Sequence, residues 1–134
     1  MKDIKIEKLL EHNLITNITS VFDYGCGRGD DIRLLTLGGY KAEGWDPYFT
    51  PDHKKISSDV VNLGFVLNVI ESEEERVRVL KDAFGLTKKV LAISTIEQRR
   101  DSNHFSHKDG TLTTRNTFQK FFTQPELSIL IESA

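Results

Sequence analysis

The sequence has few of the residues that mark disulfide-bonded, zinc-binding or membrane proteins. Its 134 residues contain a single cysteine, Cys26, which excludes an internal disulfide and a zinc site built from several cysteines. No apolar stretch approaches the roughly 20 residues needed to cross a bilayer. Residues 1–13 are charged throughout and lack the apolar core of a secretory signal. We therefore predict a cytoplasmic protein that does not bind membranes.

A strong net charge is also missing, and the formal charge of -2 gives the whole chain no attraction for nucleic acid. The charge is uneven, because residues 88–124 carry 7 Lys/Arg against 3 Asp/Glu. This basic C-terminal third would suit an anionic acceptor or partner, although a solvated charged surface explains it equally simply. The candidate side chains are Arg99, Arg100, Lys108, Arg115 and Lys120.

The length and the 38% apolar composition predict one globular domain, residues 1–134. Compact apolar or β-branched runs predict strands at about residues 18–23, 59–63 and 89–94, and residues 41–45, between Gly38-Gly39 and Asp46-Pro47, are predicted as a further strand. Helical spacing and caps predict a helix at residues 2–12 and another from an N-cap at Asp30 to Leu37. A capping box at Ser72–Glu75 begins a third helix that runs to about Gly85. Two more helices are predicted, one around Phe118, Phe121 and Phe122 and one after a second capping box at residues 123–126. Val77, Leu80, Ala83 and Phe84 are expected to face inward, and residues 96–112 to form a loop.

Strands that alternate with helices predict an α/β fold with a mostly parallel sheet of about four strands and flanking helices. Such sheets bind ligands at the carboxyl ends of their strands, where the strand order reverses. A ligand is therefore expected at one end of the sheet.

A glycine-rich segment, Asp23–Gly29 (DYGCGRG), follows the first predicted strand and precedes a helix. Glycine permits positive φ angles and lets a ligand touch bare backbone. The helix start behind the segment offers free N–H groups. This context predicts a nucleotide-binding loop.

The charges around this loop discriminate between nucleotides. The dinucleotide fingerprint is G-x-G-x-x-G with a pyrophosphate on the helix start, whereas the spacing here is G-x-G-x-G. Asp23, Asp30 and Asp31 surround the loop and would repel a pyrophosphate, but they would attract the cationic amino group of S-adenosylmethionine (SAM). We therefore predict SAM as the cofactor.

Asp46 ends the second predicted strand, about 20 residues after the glycine loop, where an acidic residue can accept both ribose hydroxyls. Pro47 and Tyr48 would then flank the adenine. The alternative is that Asp46-Pro47 is simply a turn.

Three segments resemble class I SAM-dependent methyltransferases, which have a Rossmann-like fold. VFDYGCGRGDDIRLL resembles their first motif, GWDPYF their acidic second-strand motif, and DVVNLGFVLNVI the segment after their cofactor crevice. Together with TLTTRNTFQKFFTQPEL, these segments are similar to the DNA-phosphorothioation-associated methyltransferases over roughly residues 20–130. The resemblance implies SAM and a bacterial DNA modification and defence system, with nucleic acid or a protein of that system as partner. It does not supply a methyl acceptor.

The chain departs from the class I pattern, which usually has seven strands in a longer chain. The resemblance places the crevice between the first strand and the DVVNL strand, so Asn62 and Leu63 are expected to contact the cofactor. The N-L-G-F sequence at Asn62 only faintly matches the N-P-P-F motif of amino-group methyltransferases, since both prolines are absent.

The site roles follow from the loop and from the resemblance. Asp23, Gly25, Gly27 and Gly29 are assigned to the aminocarboxypropyl end of SAM, with Tyr24 and Cys26 contributing backbone. Asn68 stands where related small-molecule methyltransferases often have histidine, so it is the candidate catalytic residue that orients an acceptor; the alternative is a polar residue that satisfies nearby backbone.

Two further chemistries find little support. Cys26 has no readable base partner for a nucleophilic role. His104 and His107 have no ligand framework around them, so no metal is expected.

The sequence thus predicts a SAM-dependent methyltransferase with an unknown acceptor. The alternatives are a non-catalytic SAM-binding or partner-binding module and, against the loop spacing, a nicotinamide dinucleotide domain.

Overall fold

A computed structural model describes residues 10–11, 13, 15–95, 105–107, 110–112, 118–119 and 131. The strands are β1 (Ser20–Tyr24), β2 (Lys41–Trp45), β3 (Ser58–Gly64), β4 (Thr87–Ser94), β5 (Phe105–His107), β6 (Gly110–Leu112) and β7 (Phe118–Gln119). The helices are α1 (Asp30–Leu37) and α2 (Glu73–Leu86), with a 3-10 turn at Leu67–Val69. Most of the predicted helix 2–12 and the second capping box at residues 123–126 lie outside the described residues.

The main sheet has the strand order β2-β1-β3-β4. β1 pairs in parallel with β2, with Tyr24 opposite Trp45, and in parallel with β3, with Asp23 opposite Asn62. The strand order therefore reverses at β1, between β2 on one side and β3 on the other. This arrangement confirms the predicted α/β Rossmann-like fold with a four-stranded parallel sheet and flanking helices. The carboxyl ends of β1, β2 and β3 lie at the same edge of the sheet.

The chain divides into two compact units. The first comprises Met1–Gly64 and Ala83–Ile93 and holds β1, β2, β3 and nearly all of β4. The second comprises Phe65–Asp82 and Ser94–Ala134 and holds the 3-10 turn, most of α2 and strands β5 to β7. That residues 1–134 form a single domain stays a prediction.

The apolar core of the first unit lies against the middle of the sheet. β-Branched and aromatic residues of β1 and β3 are inaccessible to solvent, with Phe22 and Val61 at 0% exposure. Full burial of one such side chain stabilises the fold by roughly 1.5–3 kcal/mol. One cluster of this core comprises Ile15, Val21, Leu35, Val60 and Ala92, with Leu10, Tyr40, Ala42 and Val90 packed against it.

A reciprocal hydrogen-bond pair joins the beginnings of β1 and β3. The Ser20 N–H donates to Asp59 Oδ2 at 3.1 Å, and the Asp59 N–H donates to Ser20 Oγ at 2.8 Å. The Ser20 N–H, and secondarily the positive charge of Lys89, lower the pKa of the Asp59 carboxyl. The ionised carboxylate therefore supports this strand pairing at neutral pH.

Helix α1 begins differently from the prediction. The residue before it is Gly29, at φ 84°, which makes no side-chain capping bond. Asp30, the predicted N-cap, is instead the first helical residue and forms an ion pair with Arg33. The correction follows from the glycine loop, because its last left-handed residue occupies the capping position.

Helix α2 has the serine bond of its predicted capping box and part of its predicted inward face. The Glu75 N–H donates to Ser72 Oγ at 3.3 Å. Leu80 and Ala83 are buried as predicted, but Phe84 is 71% exposed. The buried stripe runs through Arg76, Leu80 and Ala83 at helical spacing, and Phe84 lies at its edge, about 100° round the helix from Ala83.

The region after residue 95 contains strands where a loop and a helix were predicted. β5 and β6 pair antiparallel, with His107 opposite Gly110, and Phe118 of β7 pairs with Leu112 of β6. Phe118 therefore belongs to a strand, while Phe121 and Phe122 lie outside the described residues. The Asp109-Gly110 dipeptide is a hairpin signal, but strands of two or three residues are too short to show an alternating pattern.

Within the described ranges, no helix is long and apolar enough to cross a membrane.

Candidate functional site

The glycine loop after β1 is a left-handed backbone built from alternating glycines. Gly25, Gly27 and Gly29 have φ angles of 83°, 57° and 84°. Residues with a Cβ are strained in this region, which explains glycine at these three positions. Beyond its two chain neighbours, no heavy atom of the described residues lies within 4 Å of the position that a Gly27 Cβ would take. The backbone at Gly27 is therefore accessible to a ligand.

Backbone hydrogen bonds join the loop to the end of β2. The Gly25 and Cys26 N–H groups both donate to the Trp45 carbonyl, at 2.7 and 3.0 Å. The Gly29 N–H donates to the Cys26 carbonyl at 3.0 Å, which closes the turn before α1. The shape of the loop is thus set before any ligand binds.

Asp46, directly after β2, joins the glycine loop to the turn that follows β2. Its Oδ2 accepts the Gly27 N–H at 2.8 Å, and its Oδ1 accepts the Tyr48 and Phe49 N–H groups at 2.8 and 3.0 Å. A carboxylate has about four acceptor positions. Three of them are therefore engaged by backbone, and the predicted ribose contact has about one left. Asp46 and Pro47 thus begin a turn that also positions the glycine loop, and the ribose contact stays a prediction.

Gly44 of β2 allows the glycine loop and α1 to lie against the sheet. A Cβ at Gly44 would stand 2.9 Å from Cys26 Cβ and 3.0 Å from Cys26 Sγ, and it would overlap Ile32 Cδ1. Only glycine permits this approach without displacing the loop. The sequence reasoning missed Gly44, because a glycine inside a strand signals a close approach without identifying what approaches.

A buried polar pair lies at the carboxyl ends of β1 and β3. Asp23 is 6% exposed and Asn62 is inaccessible, and the Asn62 amide Nδ2 donates to Asp23 Oδ1 at 3.1 Å. The two residues are register partners, so the parallel pairing itself brings them together. Leu63, next along β3, is also fully buried. A carboxylate held this way is a preoriented acceptor for a cationic group.

Cys26 lies in the loop with its thiol protonated. Burial raises the pKa of the thiol above its ordinary value of 9.0, and the negative charges of Asp23 and Asp46 add to that increase. A hydrogen bond with Thr50, 3.8 Å from Sγ, acts in the opposite direction. A thiol in this state is a poor nucleophile, in agreement with the backbone role assigned to Cys26.

We expect slow alkylation of Cys26 at neutral pH. With the pKa above 9.0, less than about one-tenth of the thiol is ionised at pH 8. The alkylation rate with iodoacetamide, measured by mass spectrometry from pH 7 to 10, should rise about tenfold per pH unit across most of this range. A rate that levels off below pH 8.5 would contradict the assignment. The urea-unfolded chain, whose thiol has its ordinary pKa, is the control and should react faster at pH 8.

Aromatic side chains surround the loop on two sides. Tyr48 is 84% exposed and Phe49 is 48% exposed, and the Arg28 guanidinium lies 5.4 Å from the Phe49 ring centroid. Tyr24 is buried at 4% exposure and packs on Trp45, with ring centroids 5.3 Å apart. The Tyr24 ring is thus occupied by packing, which leaves its backbone for the cofactor role predicted for it.

Sequence reasoning also missed Lys55 and Thr50. Lys55 Nζ lies 4.2 Å from the centroid of the Trp45 ring and 5.0 Å from that of the Tyr24 ring. The Asp46 N–H donates to Thr50 Oγ1 at 3.0 Å, which closes the turn after β2. Thr50 stands four residues after Asp46, a spacing that could have indicated a side-chain-closed turn. No sequence signal identified Lys55.

The structure brings the predicted cofactor residues together in the first unit: Asp23, Tyr24, Gly25, Cys26, Gly27, Gly29, Asp46, Pro47, Tyr48, Asn62 and Leu63. Asn68, the candidate catalytic residue, belongs to the second unit, where it lies in the 3-10 turn and is 1% exposed.

His104 lies outside the described residues, and the described residues contain no group of three or more His, Cys, Asp or Glu placed to hold a metal.

The α/β Rossmann-like fold with a four-stranded parallel sheet is also found in two solved methyltransferase structures. No protein-family model and no curated protein sequence matches the chain. Among solved structures, it is similar to the Burkholderia thailandensis 1,6-didemethyltoxoflavin-N1-methyltransferase with bound 1,6-didemethyltoxoflavin and S-adenosylhomocysteine, with a TM-score of 0.71 and 17% identity. It is also similar to the CcbJ methyltransferase from Streptomyces caelestis, with a TM-score of 0.68 and 12% identity.

The chain spans only part of these proteins. The first similarity covers 95% of this chain and 63% of the Burkholderia protein. The second covers 98% of this chain and 78% of the Streptomyces protein. At these identities the likeness is one of fold.

Proposed function

We propose that this chain is a SAM-dependent methyltransferase domain that binds its cofactor on the loop Asp23–Gly29. The observation that carries the proposal is the bare backbone at Gly27, with open space where a Cβ would stand, flanked by the carboxylates of Asp23 and Asp46. A cationic ligand group gains from both charges, whereas a phosphate is repelled by them.

The proposed contacts follow the geometry of the loop. Asp23, fixed by Asn62, binds the amino group of the aminocarboxypropyl chain, and the backbone of Tyr24, Gly25, Cys26, Gly27 and Gly29 surrounds that chain. Asp46 offers its remaining acceptor position to the ribose, and Pro47 and exposed Tyr48 flank the adenine. Leu63 adds apolar contact beside Asn62.

When bound, SAM supplies an electrophilic methyl group on a sulfonium centre. The protein's contribution to such a transfer is chiefly positioning, because an in-line displacement depends on the alignment of donor and acceptor. The hydrogen bonds of Asp46 and Trp45 hold the loop in shape, and the Asn62–Asp23 pair fixes the carboxylate. A general base is needed only for acceptors that must lose a proton.

Titration calorimetry with SAM and S-adenosylhomocysteine tests the cofactor assignment. We expect a single site that binds in the micromolar range, about 8 kcal/mol of binding free energy. NAD should give no heat and should not displace SAM in a thermal-shift competition. Absence of SAM binding at millimolar ligand, or NAD binding in its place, would contradict the proposal.

The DNA-modification setting rests on the sequence resemblance alone, and no family model supports it. Its candidate basic residues, Arg99, Arg100, Lys108, Arg115 and Lys120, lie outside the described residues. Transfer of a labelled methyl group from SAM to DNA, RNA and cell-extract protein is the assay for this part of the proposal.

A second candidate function is a SAM-binding module without catalysis. The four-stranded main sheet of the described residues favours it, because class I methyltransferases usually have seven strands. Such a module would bind SAM in calorimetry yet transfer no label to any acceptor in the same assay.

A further inference from the structure

The backbone is strained immediately after β3, in the second unit. Phe65 has a φ angle of 57°, in the left-handed region that bulky residues rarely adopt. The Phe65 N–H donates to the Ser94 carbonyl at 2.9 Å, and this hydrogen bond holds the strained residue next to the end of β4. Strain of this kind persists only where the surrounding structure enforces it, and it is concentrated at functional sites.

Two buried polar groups are associated with this strained residue, one close to it in sequence and one on the residue that accepts its N–H. Asn68 follows Phe65 by three residues and is 1% exposed, and its Oδ1 has no hydrogen-bond partner among the described residues. Ser94, whose carbonyl accepts the Phe65 N–H, has a buried Oγ that is likewise without a partner in that part of the chain. Buried polar groups are nearly always bonded, so an unbonded pair beside a strained residue indicates a ligand site.

The segment that carries Asn68 is held in place by a buried arginine. Arg76 is 1% exposed, and its Nε and Nη2 donate to the carbonyls of Ile70 and Glu71 at 2.8 and 3.3 Å. These bonds fix the residues that follow the 3-10 turn. They also direct two of the guanidinium donors to backbone. The two unbonded groups among the described residues, a carboxamide oxygen and a hydroxyl, are themselves uncharged.

We infer that Asn68 and Ser94 bind the methyl acceptor through a neutral edge that carries both a hydrogen-bond donor and an acceptor, such as that of a lactam, an amide or a nucleobase. The Asn68 Oδ1 can accept a hydrogen bond and the Ser94 hydroxyl can donate one, so together they match such an edge. An anionic acceptor would bury its charge against uncharged groups. The inference rests on the proposed function for the identity of the ligand as methyl acceptor.

The test uses uracil, a small neutral lactam, and 1,3-dimethyluracil, which has the same ring and carbonyls but no N–H donor. Each is titrated into the full chain and followed by ¹H–¹⁵N NMR, with benzoate as the anionic comparison. We expect uracil to bind with a Kd of about 1–10 mM and to shift the Asn68 side-chain NH₂ signals. Dimethyluracil and benzoate should bind about tenfold more weakly or not at all.

Two variants separate a ligand site from an unsatisfied core position. Asn68→Leu has nearly the same volume and should weaken uracil about tenfold while raising Tm by about 3 °C, because it removes a buried unbonded carbonyl oxygen. Ser94→Ala should weaken uracil about threefold and provides the test if the first variant does not fold. Equal binding of uracil and dimethyluracil, no binding of uracil, or unchanged binding by both variants would overturn the inference.

Titration of the unsubstituted chain with S-adenosylhomocysteine keeps the two proposals distinguishable. If S-adenosylhomocysteine binds and uracil does not, the acceptor inference fails and the cofactor proposal stands. If uracil binds with the expected contrast and S-adenosylhomocysteine does not, Asn68 and Ser94 remain a polar ligand site and the methyltransferase proposal fails.

Discussion

Replacement of Asp46 by alanine is expected to weaken the binding of S-adenosylhomocysteine about a hundredfold. The carboxylate accepts the N–H groups of Gly27, Tyr48 and Phe49 at 2.8, 2.8 and 3.0 Å. Hydrogen bonds to a charged group contribute about 1.5–3 kcal/mol each, and a hundredfold loss corresponds to about 2.7 kcal/mol. The variant loses the shape of the loop as well as the proposed ribose acceptor. Calorimetry on the two proteins measures the difference.

Two further substitutions sharpen this prediction. Asp46→Asn keeps one acceptor oxygen for Tyr48 and Phe49 but turns an NH₂ group towards the Gly27 N–H, so it should lose binding to an intermediate extent. Asp52→Ala removes an exposed carboxylate from the segment that follows β2, and this variant should bind S-adenosylhomocysteine like the unsubstituted chain. An affinity of Asp46→Ala within threefold of the unsubstituted chain would show that the loop keeps its shape without the carboxylate.

Substitution of Gly44 by alanine is expected to destabilise the protein by about 2 kcal/mol, in the range that overpacking of a close contact costs. The added methyl would stand 2.9 Å from Cys26 Cβ and would overlap Ile32 Cδ1. The Ile32 side chain can rotate away, but Cys26 Cβ moves only with the glycine loop. The loop must therefore shift, and cofactor affinity should fall with stability. Urea unfolding and calorimetry report the two effects.

The matched control for this substitution is Gly85→Ala. Gly85 lies in α2, and a methyl group added there would meet nothing within 4 Å beyond the helix's own backbone, so alanine should stabilise the helix by about 0.5–1 kcal/mol. Adding Ile32→Val to Gly44→Ala removes the overlapping Cδ1 and should recover only part of the stability, because the Cys26 contact persists. If the double variant recovers the full stability of the unsubstituted chain, the destabilisation by Gly44→Ala comes from the Ile32 overlap alone.

Much of the fold could be predicted because its signals are local. The four strands of the main sheet lie within about two residues of their predicted positions. β1, β3 and β4 contain short β-branched runs, and β2 is bounded by turn residues on both sides. The C-terminal strands could not be predicted this way. β5, β6 and β7 have two or three residues each, and their pairing partners are set by non-local contacts.

The candidate site was predictable in its residues but not in its connections. The spacing of Gly25, Gly27 and Gly29 after a strand identifies a ligand-binding loop, because few backbone conformations other than a left-handed one require glycine at alternate positions. That the carboxylate of Asp46 bonds to Gly27 across two strands could not be inferred. Asp46 has the same position in the sequence whether its oxygens meet a ribose or backbone N–H groups.

The order of residues along the chain determined the parallel sheet, the glycine loop and the acidic character of its surroundings, since each depends on neighbours a few positions apart. The folded chain alone decided that Asn62 fixes Asp23, that Gly44 admits the loop, and that the polar groups of Asn68 and Ser94 stay unbonded among the described residues. Those outcomes depend on which atoms meet across elements distant in sequence. That meeting is set by strand register and close packing, and no local pattern encodes either.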